Sequence, residues 1–207
     1  IDSGCHTDEG PFEQGLYVST EMFVNGMLHL MEAGVVKRRV YDLLALQRGL
    51  NDGLITEAVD ERLLAYARQC ALLPAQLDAD SLAALQYWGI LPDTLCLIDG
   101  ALSLDGVTLT NNTDDPDTRA ALLQASEGRQ LRHGRVLHGG FFLGPRDFYQ
   151  KLRDLDDDGQ ERICMTSVLR TNQLLLDYPL YCAQRQHARF INTGMMVSLS
   201  GAVTSDA

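Results

Sequence analysis

The chain has 207 residues, 45% of them hydrophobic and 22% charged, enough to bury a substantial core and to fit one or two globular domains. Its 17 Lys and Arg against 28 Asp and Glu leave a net charge of -11, which argues against broad binding to a phosphate backbone, since that takes clustered positive charge. No apolar run approaches the roughly 18 to 20 residues of a spanning helix, and the N-terminus lacks the basic and then apolar layout of a signal peptide, so the chain reads as cytoplasmic, with neither nucleic acid nor membrane as partner.

Residues 1–18, rich in Gly, Asp and Glu, read as an irregular lead-in. Cys5 and His6, with Asp8 and Glu9 nearby, have the makings of a metal site, but no second ligand pair of zinc spacing follows, and no metal is expected. The five cysteines are odd in number, widely spaced and mostly in apolar context, which predicts reduced core thiols. A helix is predicted to start near Ser19, because Phe23, Met27, Leu30 and Met31 recur at three- and four-residue spacing and Gly34 offers a stop. With Ser19 or Thr20 as N-cap, Glu21 falls in the first turn, where free N–H groups and the helix dipole favour a carboxylate. A short basic patch, Lys37-Arg38-Arg39, comes next, and then an apolar stretch through Leu46.

Helical patterns cover 55–70 and 80–88, with Asp78 or Asp80 as N-cap and Pro74 and Pro92 at the breaks. Short strands are predicted at 95–98 and 106–110, then a polar loop, then a helix over 117–125 with Pro116 near its first turn. Beyond it the pattern is strand (135–138), a turn holding Gly139, Gly140 and Gly144, and helix (145–155). The region 163–167 is strand-like, 183–186 helical, 189–192 strand-like, and 195–203 mostly apolar with alternating small residues. This alternation predicts an α/β fold, a largely parallel sheet with flanking helices, interrupted by a mainly helical insertion at about 50–130.

Several motifs are incomplete. Asp154, Asp156, Asp158 and Gly159 match the first half of an EF-hand calcium loop, but the twelfth position is Met165 where a bidentate Glu belongs, so the stretch reads as a solvated acidic turn. His138-Gly139-Gly140-Phe141 resembles the oxyanion-hole segment of lipase-like esterases, yet the chain has no Gly-x-Ser-x-Gly elbow to supply a nucleophile. The same glycines suit either exposed N–H groups facing a phosphate or a plain strand-to-helix turn. No dinucleotide fingerprint and no phosphate-binding Gly-x-x-x-x-Gly-Lys-Ser/Thr is present. His29 and His187 read as packing or surface histidines.

The stretch Gly15-Leu16-Tyr17-Val18-Ser19-Thr20-Glu21-Met22-Phe23-Val24-Asn25-Gly26-Met27, with His29-Leu30-Met31-Glu32-Ala33-Gly34-Val35-Val36 after it, resembles the Thr/Ser-Glu-Met, Asp-Gly, Glu-Ala-Gly-Val/Ile pattern of the acetyl-CoA hydrolase/transferase family, a branch of the class I coenzyme A transferases. The segments from His138 to Phe148 and from Arg189 to Val203 are similar to later parts of that family. The resemblance implies one CoA-transferase-like domain over 1–207, with Glu21 as the nucleophile that attacks an acyl-CoA thioester and ends as a glutamyl-CoA thioester. A carboxylate of ordinary acidity suits that work without a dedicated base. Gly139, Gly140, Gly144 and Asn192 become candidates for contacting coenzyme A or shaping its pocket. The basic patch is either a phosphate contact or a solvated turn. The implied partners are an acyl-CoA and a small carboxylate or water, and a homodimer is left open.

The chain also departs from the family. Asn25 stands where many members have Asp. The family's downstream Gly-x-Gly-Gly loop and its homologous upstream domain are not among these 207 residues, so the expected context is a portion of a longer enzyme, with little activity alone. The rival reading is a non-catalytic binding or assembly module derived from such an enzyme.

Overall fold

The computed structural model describes residues 13–172, 176–191 and 194–204; the Cys5-His6 pair and Asn192 lie outside them. The architecture is α/β, built on a three-stranded parallel sheet with flanking helices and supplemented by antiparallel sheets. No helix is long and apolar enough to cross a membrane among the described residues.

The first element corrects the sequence expectation. Val18–Val24 is a strand, β1, and the helix α1 begins only at Asn25 and runs Asn25–Glu32. Glu21 is therefore a strand residue, not a first-turn helical one. Val18, Thr20 and Val24 are β-branched, and parallel pairing with a distant strand realises that preference, which a local helical pattern does not reveal. The stripe of Met27, Leu30 and Met31 does belong to a helix, but Leu28 and Met31 are its buried side chains, and Gly34 ends the turn with φ of 70°.

The chain then leaves the sheet for a long excursion. It contains α2 (Leu44–Asn51), α3 (Glu61–Gln69), α4 (Ala79–Tyr87), the antiparallel strands β2 (Leu95–Ile98), β3 (Ala101–Leu104) and β4 (Val107–Leu109), and α5 (Pro116–Ala125). Local chemistry sets its boundaries. Asp78 caps α4 in a reciprocal box with Ser81, and Asp115 caps α5 with Pro116 in the first turn. The middle strand β3, absent from the sequence reading, is bounded by Asp99-Gly100 and Asp105-Gly106, all four at positive φ, as two-residue hairpin turns require. Tyr41, Leu46, Leu63, Ile90, Leu91, Leu102, Leu122 and Leu131 anchor a core within this region.

The chain returns as β5 (Leu137–Leu143), which pairs in parallel with β1. Gly139 and Gly140 thus lie inside a strand, not in the expected turn; Gly144 alone of the three follows it. Then α6 (Arg146–Arg153) and α7 (Asp157–Glu161) cross over to β6 (Ile163–Met165), the far edge of the order β1-β5-β6. Asp156, from the calcium-like stretch, caps α7 by accepting from the Gly159 N–H. A second core of Phe23, Leu28, Met31, Val36, Val136, Leu137 and Phe148 joins the sheet to α1 and α6. The short helices α8 (Val168–Asn172) and α9 (Tyr178–Gln184) complete the layer, and the two-residue strands β7 (Met196–Val197) and β8 (Val203–Thr204) pair as a hairpin.

The thiols also differ from expectation. Cys70 and Cys164 are half-buried and Cys96 and Cys182 exposed, all four free. In β2 strand alternation turns Leu95 inward and Cys96 outward, which apolar context alone does not reveal.

Candidate functional site

Glu21 sits at a break in the regular geometry of two strands. Val18, Ser19 and Thr20 pair with Leu137, His138 and Gly139, and Met22, Phe23 and Val24 pair with Phe141, Phe142 and Leu143, leaving Glu21 and Gly140 between the two runs. Side chains five apart on a strand belong to opposite faces. Val18 and Phe23 nevertheless pack on the same core, as do Leu137 and Phe142, the latter through Phe23 at 5.7 Å and Phe148 at 6.4 Å between ring centroids. The alternation therefore resets at Glu21 and Gly140 in both strands together. Glycine is needed there, because a Cβ on Gly140 would lie 2.8 Å from the Glu21 carbonyl oxygen and 3.0 Å from Val168 Cγ2.

The reset leaves the Glu21 side chain exposed, with Asn172 at the end of α8 donating from Nδ2 to Glu21 Oε2 at 3.0 Å. No Lys, Arg or His forms an ion pair with Glu21 among the described residues. Met22, next to Glu21 in sequence, and its cross-strand partner Phe141 are both exposed. Asn25 begins α1, its Oδ1 buried and without a hydrogen-bond partner among the described residues.

The other sequence candidates scatter. Gly144 packs under Phe148, whose Cδ1 would be 2.3 Å from an added Cβ, so its identity follows from packing in the turn. Of the basic patch, Arg38 donates to the Gln184 carbonyl and to Asn51 Oδ1, Arg39 pairs with Asp158 at 3.2 Å, and Lys37 is exposed. His29 Nε2 lies 3.1 Å from Lys151 Nζ, and His187 is an exposed residue at positive φ. Two surface cavities, of about 610 and 560 Å³, lie on the outer side of α6 and between α3 and α5, neither at Glu21.

A polar cluster that sequence reasoning missed lies under the same strands. His138, 1% exposed, accepts or donates at Nδ1 to the Tyr17 hydroxyl at 2.8 Å. Its Nε2 is 3.9 Å from Asp42 Oδ1 and has no hydrogen-bond partner among the described residues. Asp42 in turn takes hydrogen bonds from Arg170 and, at 2.8 Å, from Gln184 Nε2. The Arg170 guanidinium also lies over the Tyr181 ring, 5.4 Å from its centroid. Burial pushes the Tyr17 hydroxyl up to about 12. Burial, reinforced by Arg170 and only partly opposed by Asp42, pulls His138 down to about 4. For Asp42, burial is outweighed by the hydrogen bonds from Arg170 and Gln184, and its carboxyl falls below the usual range. The folded state thus holds a neutral His138 beside an Asp42–Arg170 ion pair.

This sets a pH dependence. The unfolded His138 takes up its proton near pH 6.5 and the folded one only near 4, so its stabilising contribution is complete above about 6.5 and is lost as the pH falls towards 4. We expect thermal or urea unfolding to show stability declining across that window by at most about 1.4 kcal/mol per pH unit. The slope should flatten in His138→Gln; an unchanged slope would remove His138 as its source.

Comparisons with family models, with curated proteins and with solved structures found no match.

Proposed function

We propose that the chain supplies the nucleophile of a CoA transferase or acyl-CoA hydrolase, with Glu21 as the attacking group. The observation that carries this reading is the Glu21 carboxylate itself: exposed, held through one oxygen by Asn172, on a residue whose backbone faces Gly140 where the pairing of two parallel strands is interrupted. The resemblance of the Thr20-Glu21-Met22 stretch to the acetyl-CoA hydrolase/transferase motif points to the same residue.

In this reading Glu21 Oε1 attacks the thioester carbonyl carbon and the C–S bond breaks, releasing CoA thiolate and leaving a mixed anhydride. The thiolate then attacks Cδ of Glu21 and expels the acyl group as its carboxylate, giving a glutamyl-CoA thioester. An incoming carboxylate reverses the two steps to form a new acyl-CoA, or water hydrolyses the thioester and frees CoA. The Asn172 amide orients the carboxylate and offers a hydrogen bond to negative charge on Oε2.

The test is to incubate the full-length protein with acetyl-CoA, reduce with borohydride, and map the peptide masses. A glutamyl thioester is trapped as an alcohol on the peptide containing Glu21. Turnover with that peptide unmodified would end the nucleophile assignment; no turnover and no modification would favour a non-catalytic binding or assembly module.

A further inference from the structure

Arg185 directly follows α9, and its Nη2 touches both sides of the Glu21 site. That nitrogen lies 2.9 Å from Ser19 Oγ, 3.0 Å from the Arg170 carbonyl oxygen and 3.0 Å from the Thr171 carbonyl oxygen. Ser19 stands two residues before Glu21 on β1. Thr171 immediately precedes Asn172, whose amide meets Glu21. One guanidinium therefore joins the strand that carries the carboxylate to the helix that carries its hydrogen-bond donor.

The need for such a tie follows from the helix it holds. The last carbonyls of any helix lack intrahelical partners, and α8 spans only five residues, too few to be stable by its own hydrogen bonds. Arg185 takes up two of those carbonyls. On the other side, the Arg170 side chain is bonded to Asp42, which also accepts from Gln184, the neighbour of Arg185 in sequence. Gln184 and Arg185 thus grip α8 at its side-chain anchor and at its carbonyl end. Gln184 is fully buried and Arg185 half-buried, so the grip is not a loose surface contact.

We propose that Arg185 is a positioning residue that sets Asn172 against Glu21. Its kinetic consequence rests on the proposed role of Glu21, whereas its structural consequence does not, and the experiment separates the two. In the full-length protein with labelled Asn side chains, the Asn172 amide resonance is displaced by its charged acceptor, and Glu21→Ala defines where it falls when that acceptor is gone. Arg185→Met should move the Asn172 signal most of the way to that position. In the acetyl-CoA and borohydride assay the same variant should lower the rate of Glu21 labelling by about tenfold to a hundredfold, the range expected for misplacing a reacting group. The loss should fall on kcat with KM for acetyl-CoA nearly unchanged.

Ser19→Ala removes only the strand end of the tie. It should shift the Asn172 signal partway, and it decides the matter if Arg185→Met does not fold. An Asn172 signal that stays at its wild-type position in the folded Arg185→Met protein, or in Ser19→Ala when that is the variant available, overturns the proposal. If the signal moves but wild-type protein never labels at Glu21, the positioning role stands and the acyl-transfer reading falls.

Discussion

In Glu21→Gln protein, acyl-CoA turnover is expected to fall by about a thousandfold or more, the scale seen when a covalent nucleophile is removed. The trapped alcohol should vanish from the corresponding peptide. The substitution is chosen because it changes chemistry and little else. A glutamine has nearly the shape of glutamate, and its carbonyl can still accept from Asn172 Nδ2, now 3.0 Å from Oε2. The side chain is exposed, so stability should stay within about 0.5 kcal/mol of wild type. A large loss of activity with unchanged stability thus assigns the carboxylate to the reaction. Activity kept within about threefold, compared with the much larger loss expected of a removed nucleophile, would sink that assignment, whatever the labelling shows.

Phe148→Ala should cost about 3 to 5 kcal/mol of folding stability, the usual range for emptying a fully buried aromatic site. Phe148 is 0% exposed and stands edge-on to Phe23 at 5.5 Å, with Phe142 at 6.4 Å, so it closes the core beneath the distal halves of β1 and β5. Gly144 presses on the same ring from the following turn, which limits how far the site can collapse to fill a cavity. Phe142→Ala, at a ring 37% exposed, should cost well under half as much. Urea denaturation with an unchanged m-value measures both. A Phe148→Ala loss below about 1 kcal/mol, far short of a buried aromatic truncation, would show that the three rings do not hold the two strands together.

Much of the fold can be read locally. The caps of α4 and α5 are side chains within three residues of the N–H groups they satisfy, and a sequence displays them directly: Asp78 with Ser81, Asp115 with Thr118. The parallel sheet is legible as a class, through strands alternating with helices. Its details are not. Glu21 reads as helical because Phe23, Met27 and Met31 happen to fall at helical spacing, while its partner strand begins at Leu137, more than a hundred residues away. Gly139 and Gly140 read as a turn because glycine is a poor strand former, and the reason for Gly140 in a strand is the carbonyl of Glu21 across the sheet. The polar cluster is hidden for the same reason. Tyr17 meets His138 and Ser19 meets Arg185 through pairings that no spacing rule encodes. An exposed side chain such as Asn172 becomes interesting only once its position opposite Glu21 is known.

The chain packs around two separate cores. Residues from Tyr41 to Leu131 enclose apolar contacts of their own, and the parallel sheet depends on a smaller set centred on Phe23 and Phe148. They meet along a seam around α9, where Asn51 Nδ2, at the end of α2, donates to the Ala183 carbonyl and Arg185 Nη2 donates to Ser19 Oγ on β1. Regions with separate cores open as separate cooperative units, each with its own local free energy. The sheet around Glu21 is therefore expected to open at a lower free energy than the larger unit, with the seam beside α9 between the two, an order that native-state amide exchange reads out. A substrate that stiffened the sheet would be felt first at that boundary, as slower amide exchange there and not in the helices beyond.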